Sequence, residues 1–390
     1  MKHDNTVQII VRCDEYEKNL SILESLGHIK YKLPMINSYV VEINKRYLEE
    51  VKSFDGILSI EADAHIAAQM NRVNNIIESD WAYDNGYDGM GVGVAIVDTG
   101  ICLHKDFVEG GNRVIGFVDL INRRKEPYDD NGHGTHVAGI VGGNGYSSKR
   151  KYRGIAPACN LIGVKVLDHK GDGNISDVLA GLQWIIDNKD KYNIRVVNIS
   201  VGTTSRDNGD EDSLLVQGVN AVWDSGIVVV VAAGNNGPGP MSISTPGISR
   251  KVITVGSSDD NIAVEVFGNK TKNYSGRGPT PYCIKKPDIV APGSNIISCN
   301  INRYLSRKKR NGLQPSSNYA PMMYTIKSGT SMATPVVSGA IALLLSAYPH
   351  LTNLEVKLKL RDSAVDLGQP WEKQGWGLIN VKKLLENKLV

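Results

Sequence analysis

Five short apolar runs, each ending at a small or polar residue, set the strongest limit on how this chain can fold. The runs occupy residues 91–100, 161–167, 194–201, 226–234 and 251–257. Stretches with helical spacing of apolar residues lie between them, for example 176–190 and 212–226. Apolar strands that alternate with helices are typical of a parallel sheet covered on both faces. We therefore predict an α/β fold with a doubly wound, mostly parallel sheet.

The first seventy residues predict a small α+β domain that precedes this sheet. Strands are predicted at 6–13, 28–33, 38–44 and 56–63, and helices at 15–27 and 45–54. The resulting β-α-β-β-α-β order is that of a ferredoxin-like plait. We therefore predict two domains, 1–70 and 71–390. Segment 64–85 has weaker periodicity and is predicted to be a connection.

The composition limits the partners and the compartment of the protein. Of the 390 residues, 22% are charged, and the formal net charge is +3, which argues against a nucleic-acid-binding protein. No apolar run approaches the length of a membrane span, and the N-terminus "MKHDNTVQIIVRC" lacks the apolar core of a secretory signal. Five cysteines without a C-x-x-C pair fit reduced thiols better than a disulfide framework. We expect a cytoplasmic protein with no nucleic-acid and no membrane partner.

Residues 327–349 place a serine at the start of a buried helix. In "KSGTSMATPVVSGAIALLLSAYP", Gly, Ser and Thr precede apolar residues at helical spacing, and Ser and Thr favour the start of a helix over its interior. Pro335 fits a first turn, where its missing N–H leaves no hydrogen bond unmade. Ser331 is thus predicted where exposed backbone N–H groups favour negative charge. An ordinary capped core helix also explains this stretch on its own.

Asp98, His133, Asn235 and Ser331 together meet the requirements of acyl transfer by a serine nucleophile. Asp98 ends the first apolar run, Asn235 follows the fourth, and His133 precedes a helix of small residues. Functional groups of parallel sheets gather at the carboxyl ends of the strands. A serine hydroxyl needs a histidine base that a carboxylate holds in one tautomer, and the oxyanion needs fixed donors. The Asn235 amide and the backbone N–H groups at the start of the serine helix could supply such donors.

Each of these residues has another explanation when it is taken alone. Asp98 could cap a turn, and Asn235 could adopt a left-handed turn conformation. His133 and His136 could hold a metal, but no further Cys, His or Glu stands at ligand spacing. The glycines of "GMGVGVAIVD" precede the strand, so they do not match a dinucleotide-binding fingerprint. One shared explanation accounts for the four positions better than four separate ones.

Four motifs give the chain a resemblance to the subtilisin-like serine proteases, the subtilases. The motifs are "VAIVDTGI" (94–101), "NGHGTHVAGI" (131–140), "AAGNNG" (232–237) and "SGTSMATPVVSG" (328–339), in the Asp, His, Ser order of the family. The likeness covers residues 71–385 and is strongest to the intracellular AprX-type branch. It implies that Asp98 orients the imidazole, that His133 is the general base and acid, and that Ser331 is the nucleophile. It also implies that Asn235 is the oxyanion donor and that His136 is structural.

The resemblance implies how substrate binds and how the enzyme is made. Subtilases bind a polypeptide as an extended strand between two backbone segments, here 170–174 and 200–202. The implied contact residues are Gly171, Asp172, Gly173, Ser200, Val201 and Gly202. Domain 1–70 is implied to be an inhibitory propeptide and folding chaperone, held on the same chain until self-cleavage within 66–71. The predicted function is a serine endopeptidase that is made as a zymogen.

No cofactor is expected for the chemistry, and two segments depart from the family pattern. Residues 146–154 stand where many secreted relatives bind calcium, yet they carry four basic residues and no carboxylate, so a structural calcium is not indicated. Residues 302–324 form a long basic insertion before the serine motif. Two other functions stay open: a non-cleaving regulatory or binding protein on a subtilase scaffold, and a metal-dependent hydrolase that uses His133 and His136.

Overall fold

The structure is a computed structural model that describes residues 6–62, 69–203, 213–266, 268–301 and 323–386. Contacts divide the chain into two compact units, Met1–Ala67 and Ala68–Val390. Part of the predicted cleavage segment 66–71 lies outside the described residues, and the rest is described only as backbone. Most of the basic insertion 302–324 also lies outside the described residues.

The first unit is a four-stranded antiparallel sheet with two helices. Its elements are β1 (Thr6–Cys13), α1 (Leu20–Leu26), β2 (Gly27–Leu33), β3 (Ser38–Asn44), α2 (Leu48–Ser53) and β4 (Ile57–Ala62), with 3-10 turns at Pro34–Ile36 and Lys45–Tyr47. The sheet order is β2-β3-β1-β4, because β1 pairs with both β3 and β4. Val11, Leu23, Val41 and Val51 are fully buried in its core. The predicted β-α-β-β-α-β order of a ferredoxin-like plait is confirmed.

The second unit is built around a seven-stranded sheet in which all described neighbours pair in parallel. Its strands are β5 (Gly93–Asp98), β6 (Val114–Asp119), β7 (Asn160–Lys165), β8 (Ile194–Ile199), β9 (Val228–Ala232), β10 (Ile253–Ser257) and β13 (Ile289–Ala291), in the order β13-β10-β9-β8-β5-β7-β6. Every residue of β5 and of β9 is buried. Such strands fit a sheet covered on both faces, and the predicted doubly wound α/β fold is confirmed.

Helices cover this sheet, and four of them pack in two pairs. The helices are α3 (Gln69–Ile76), α4 (Asp80–Asp84), α5 (Lys105–Val108), α6 (His133–Gly142), α7 (Ile175–Asn188), α8 (Leu214–Asp224), α9 (Thr330–Ala347), α10 (Asn353–Ser363), α11 (Trp371–Gln374) and α12 (Val381–Glu386), with a 3-10 turn at Tyr146–Ser148. Helix α6 packs against α9, and α7 packs against α8. Two short antiparallel pairs also belong to this unit: β11 (Val264–Val266) with β12 (Asn269–Thr271), and β14 (Ile296–Cys299) with β15 (Tyr324–Lys327).

The segment predicted as a connection, residues 64–85, contains two helices, so that prediction was wrong. Helices α3 and α4 and the turn between them bury Val73, Ile77 and Ala82 in the core of the second unit. Helix α3 has eight residues and α4 has five, so each is too short to give a strong helical periodicity in the sequence.

Helix α9 is the central helix of the second unit. It packs against α6 and against strands β8, β9 and β10, and its residues from Thr330 to Leu345 are buried. Contrary to the expectation from the sequence, α9 is long and apolar enough to cross a membrane by length and composition, and it is the one such helix in the described part of the chain. Its most apolar window is 89% buried inside the protein, as in a core helix.

Candidate active site

Asp98 is the last residue of β5, and its side chain is fully buried. Its Oδ1 accepts a hydrogen bond from the backbone N–H of Thr99 at 2.7 Å. Both carboxylate oxygens also lie close to Nδ1 of His133, at 2.8 and 2.9 Å. A buried carboxylate needs such partners, because an unpaired buried charge is costly. The end of β5 therefore holds Asp98 and His133 as a bonded pair.

His133 is the first residue of α6, and its side chain is 17% exposed. Because a carboxylate only accepts hydrogen bonds, we assign the proton of the neutral ring to Nδ1 and the lone pair to Nε2. The ring lines two cavities that Ser331 also lines. The arrangement can therefore supply a base beside a serine, with its tautomer set by a carboxylate.

Close packing at the start of α6 explains the glycines on either side of His133. A Cβ on Gly134 would lie 2.2 Å from the carbonyl oxygen of Gly100, so no larger residue fits there. Gly132 has a φ of +103°, a conformation that favours glycine. Its N–H donates to the Asp129 carboxylate at 2.7 Å, which places an acidic side chain at the helix start. These contacts position His133 at the end of β5.

His136 lies one turn further along α6 and is fully buried. Its Nε2 bonds to the backbone carbonyls of Ile296 and Thr325 at 3.1 and 3.2 Å, so it connects α6 to β14 and β15. Burial lowers the pKa of His136 from 6.5 to about 3. The two histidines thus have different partners, a carboxylate for His133 and backbone carbonyls for His136.

Ser331 is the second residue of α9 and is 5% exposed. It exchanges two hydrogen bonds with Ser200, which directly follows β8. The Ser331 hydroxyl donates to the Ser200 carbonyl at 3.0 Å, and the Ser200 hydroxyl donates to the Ser331 carbonyl at 3.1 Å. Proton transfer to His133 requires the Ser331 hydroxyl to turn away from Ser200. Catalytic hydrogen bonds are often long or misaligned until substrate is bound.

Pro335 leaves the Ser331 carbonyl available to Ser200. Helix α9 begins at Thr330, so Pro335 is its sixth residue. The prediction that Pro335 lies in the first turn was therefore wrong. Proline lacks the N–H that would bond to the carbonyl four residues earlier, which is that of Ser331. The Ser200 hydroxyl takes the place of this missing donor. The backbone of Ser331 is therefore bonded to the end of β8.

Asn235 follows β9 in a glycine-rich loop, and Thr330 fixes the orientation of its amide. The Asn235 Oδ1 accepts from the backbone N–H of Thr330 at 2.9 Å and from its hydroxyl at 3.1 Å. This leaves the Nδ2 group, a donor, for the cavity that Asn235 and Ser331 line together. The arrangement can present a fixed side-chain donor beside Ser331, as stabilisation of an oxyanion requires.

Two cavities meet at His133 and Ser331. The larger cavity, of about 930 Å³, is also lined by Asn235 and by the six residues predicted to bind substrate, which are Gly171, Asp172, Gly173, Ser200, Val201 and Gly202. The smaller cavity, of about 430 Å³, is also lined by Lys327 and Met332. All the predicted site residues thus lie around the larger cavity except Asp98, which is buried and bonded to His133.

The glycines of the larger cavity are needed by the protein itself. A Cβ on Gly173 would lie 2.3 Å from the carbonyl oxygen of Val166, and a Cβ on Gly202 would lie 2.8 Å from that of Thr245. Gly171 has a φ of +91°. Internal packing and backbone conformation therefore require glycine at these three positions.

Comparison with known proteins decides the family. Residues 89–377 match the sequence profile described as the Subtilase family. The chain belongs to the subtilase family. It is 42% identical over 348 residues to Serine protease AprX from Bacillus subtilis (strain 168). This match covers 87% of this chain and 76% of that protein. It is 33% identical to Subtilisin Savinase from Lederbergia lenta, over 78% of this chain and 95% of that protein.

A solved structure of a cold-adapted subtilisin-like serine proteinase is also similar. Its TM-score is 0.57 and its identity 29%, and the match covers 76% of this chain and 90% of that one. The resemblance to the subtilases and the subtilisin-like fold are thus confirmed. This subtilase is a serine endopeptidase, a hydrolase that acts on polypeptides.

The cleft of this subtilase includes a hairpin that the sequence analysis did not single out. Strands β11 and β12 supply Val266, Asn269 and Thr271 to the larger cavity and Glu265 to the smaller one. Each strand has three residues, too few for a periodic signal. The alternation of Val264, Glu265 and Val266 was the one local sign of a strand.

A buried lysine that sequence reasoning also missed supports the turn after Asp98. Lys165, the last residue of β7, is fully buried and donates to the carbonyls of Thr99 and Leu167, both at 2.6 Å. Its Nζ also lies 2.8 Å from Oδ1 of Asp130. These bonds satisfy the buried charge and fix the chain next to Asp98. An apolar strand that ends in lysine was a usable signal for such a role.

One buried group of metal-ligand type occurs in the described part of this subtilase, formed by His104, Asp106 and Cys299. The Nδ1 of His104 accepts from the Asp106 N–H at 3.1 Å, and its Nε2 donates to a backbone carbonyl at 2.9 Å. The Asp106 oxygens accept from the Ser147 N–H at 2.9 Å and the Tyr324 hydroxyl at 2.7 Å. The ring nitrogens of His104 and the carboxylate oxygens of Asp106 are thus already bonded within the protein. The adjoining segment around Ser147 is basic, so the group does not fit a calcium ion.

Proposed function

We propose that this subtilase cleaves internal peptide bonds through an acyl-enzyme at Ser331, with Asp98 and His133 as the other members of a catalytic triad. The observation that carries the proposal is the Asp98–His133 pair in the same cleft as Ser331. His133 takes the Ser331 proton as Oγ attacks the scissile carbonyl, and gives it to the leaving amine. Water then attacks the acyl ester with His133 as base, which releases the acid and restores the Ser331 hydroxyl.

Two kinds of donor support the charge that develops on the carbonyl oxygen. The Asn235 Nδ2 is one, and its amide is held in place by Thr330 before any substrate binds. The other is the backbone N–H at Ser331, because the first N–H groups of a helix lack partners within that helix. Donors that are already oriented need no reorganisation as the charge forms.

The polypeptide is proposed to lie as an extended strand in the larger cavity, between residues 171–173 and 200–202. Both segments line this cavity together with Asn235 and Ser331. Backbone pairing on two sides would hold substrates of varied sequence, because the bonds come from the main chain. This arrangement suits an endopeptidase, which must accept the interior of a chain.

The triad is tested by comparing Ser331→Ala with Ser346→Ala. Ser346 lies on the same helix, and its hydroxyl bonds to the Leu343 carbonyl. Wild type and Ser346→Ala should hydrolyse casein and should take up one fluorophosphonate on the Ser331 peptide. Ser331→Ala should lose the label and about 10⁶ in kcat, a magnitude established on a subtilisin.

Other results would favour the competing functions. Unchanged turnover by Ser331→Ala would contradict the assigned nucleophile. A wild-type protein that binds unfolded polypeptide, with neither turnover nor label, would favour a non-cleaving regulatory or binding protein. Loss of turnover on chelation, with the label retained, would favour a metal-dependent hydrolase that uses His133 and His136.

We also propose that residues 1–70 are an inhibitory propeptide, that 71–390 are the catalytic domain, and that self-cleavage occurs within 66–71. In support, Met1–Ala67 forms a compact unit with a buried core of its own. Intact masses of wild type and Ser331→Ala test the proposal. Cleavage of the wild type alone is expected, whereas equal cleavage of both would assign the cut to another protease.

We further propose that the enzyme acts in the cytoplasm and needs no metal or other cofactor for its chemistry. All five cysteines are free thiols, which fits a reducing compartment. The proposed triad uses protein groups for every proton transfer. EDTA should leave kcat/KM unchanged, and cell fractionation should recover the protein with cytoplasmic markers. Loss of activity that added calcium restores would contradict the first expectation.

A further inference from the structure

The hairpin formed by β11 and β12 presents two different faces. Its register pairs Val264 with Thr271, Glu265 with Lys270 and Val266 with Asn269. Val264 and Val266 are buried, whereas Glu265 between them is exposed. Since successive side chains of a strand point to opposite faces, Glu265 projects from the face opposite to these valines.

The apolar face holds this hairpin in place. Val264 and Val266 form a buried cluster with Tyr274. The Tyr274 hydroxyl bonds to the hydroxyls of Ser257 at 2.8 Å and Ser294 at 2.9 Å, so the hydroxyl end of the ring is held by two partners. A side chain on such a supported strand is better positioned than one on a free loop.

The hairpin borders both cavities at the catalytic serine. Val266, Asn269 and Thr271 line the larger cavity, and Glu265 lines the smaller one. Both cavities are also lined by Ser331 and His133. A polypeptide that crosses the serine therefore passes the hairpin on either side of the scissile bond.

The contents of the cavities assign them to the two halves of the substrate. The larger cavity contains the backbone segments 171–173 and 200–202 and the Asn235 donor, so it takes the acyl half. The smaller cavity also adjoins Ser331 and His133 but is lined neither by these segments nor by Asn235, so it takes the leaving-group half. Of the two cavities, Glu265 lines only the smaller one. Its carboxylate therefore lies beside the substrate residues that follow the scissile bond.

The charges of the smaller cavity favour a cation near Glu265. Its charged lining residues besides His133 are Glu265 and Lys327. Lys327 borders both cavities and takes part in an interaction of its own. Lys270, which lies opposite Glu265 in the hairpin register, is exposed, and within the described residues no hydrogen bond or ion pair joins it or any other residue to the Glu265 carboxylate. A substrate ammonium or guanidinium group can therefore pair with this carboxylate.

We propose that Glu265 is a specificity-determining residue that favours substrates with Lys or Arg at the first or second position after the scissile bond. The inference rests on the proposed role of Ser331 in cleavage. An exposed ion pair of this kind corresponds to a preference of about three- to five-fold at low salt. The preference should shrink as the ionic strength rises, because salt screens exposed charges.

The test uses quenched peptides that share one acyl half and carry Lys, Gln or Glu at either of these two positions. Wild type, Glu265→Gln, Glu265→Lys and the control Glu126→Gln are titrated on Ser331 with a fluorophosphonate before kcat/KM is measured. Glu126 is an exposed carboxylate that lines neither cavity. A second series varies only the acyl half.

Wild type and Glu126→Gln should prefer Lys over Gln by about three- to five-fold, Glu265→Gln should lose this preference, and Glu265→Lys should prefer Glu. The acyl-half series should rank identically in all four proteins. An unchanged Lys preference in Glu265→Gln, or an equal loss for every peptide, would overturn the inference while Ser331 still reacts. Absence of both cleavage and label in the wild type would instead overturn the proposed function, and this inference with it.

Discussion

His136 should make the second unit of this subtilase less stable in mild acid. Its ring is fully buried and bonds to two backbone carbonyls, and burial lowers its pKa from 6.5 to about 3. Between these values the unfolded chain binds a proton on this ring that the folded protein does not bind. The free energy of unfolding therefore falls as the pH falls from 7 towards 3. The stability that comes from keeping His136 neutral is fully retained only above the pKa of the unfolded chain, 6.5.

The two pKa values give the size of the effect. Complete titration over the interval from 6.5 to about 3 corresponds to about 5 kcal/mol. Integration of the single-site linkage relation between pH 7 and pH 5 gives about 2 kcal/mol. A loss of that size is a large part of the stability of a typical domain, so it should be readily measured.

The assay compares His136→Gln with His350→Gln in a Ser331→Ala background, which prevents self-digestion. A glutamine side chain in place of His136 would keep an amide donor near the two carbonyls and cannot titrate, while His350 is exposed and serves as the control. All five tryptophans lie in the second unit. Urea unfolding followed by tryptophan fluorescence therefore reports this unit alone, and the free energy of unfolding is obtained at pH 7 and at pH 5.

The change with pH is the readout, because any substitution of a buried side chain lowers the stability at pH 7 as well. The parent protein and His350→Gln should lose equal amounts of unfolding free energy between pH 7 and pH 5. His136→Gln should lose about 2 kcal/mol less than either. Equal losses in all three proteins would refute the assignment of a buried, neutral ring at this position.

Three further outcomes can be measured on the same protein. Asn235→Ala should lower kcat by about 10²–10³-fold, a range established on a subtilisin, with little change in KM. Steady-state kinetics that show only a higher KM would contradict the proposed oxyanion role. Burial raises the pKa of the Cys102 thiol to about 12, so iodoacetamide at pH 8 should label the exposed Cys283 and spare Cys102. Equal labelling of the two cysteines in peptide maps would refute this difference in reactivity. Ser200→Ala should cost about 1 kcal/mol of stability by leaving the Ser331 carbonyl unbonded, and Pro335→Ala should reduce that cost by adding a helix N–H. A double-mutant cycle without coupling would contradict the bond.

The parallel sheet could be predicted from the sequence because its strands are apolar on both faces. The run 91–100 contains β5 at Gly93–Asp98, and the polar residue that ends it is the one bonded to His133. Continuous apolar strands carry their own signal, since no polar face competes with it. The same reasoning failed at 64–85, where Val73, Ile77 and Ala82 are buried on two short helices and the turn between them.

The site could be predicted only as a set of residue types at the ends of strands and helices. Positions at the ends of apolar runs and the starts of helices indicated that Asp98, His133, Asn235 and Ser331 lie near one another. In the structure His133, Asn235 and Ser331 line one cavity and Asp98 bonds to His133. The supporting bonds were beyond sequence reasoning, because they join residues far apart in the chain. His136 bonds to carbonyls 160 and 189 residues away, and no local pattern encodes such partners.

Pro335 shows why the local rule for the serine helix was insufficient. The rule places proline in a first turn, where its missing N–H has no cost, but the helix begins earlier, at Thr330. Asn235, 95 residues away, accepts the N–H of Thr330 and so caps the helix at that point. With this start, Ser331 lies inside the helix, and its carbonyl would accept the N–H of residue 335, which proline lacks. The Ser200 hydroxyl bonds to this carbonyl instead. The Ser200 hydroxyl therefore bonds the backbone of Ser331 to the end of β8, while the Ser331 hydroxyl, the proposed nucleophile, donates to the Ser200 carbonyl.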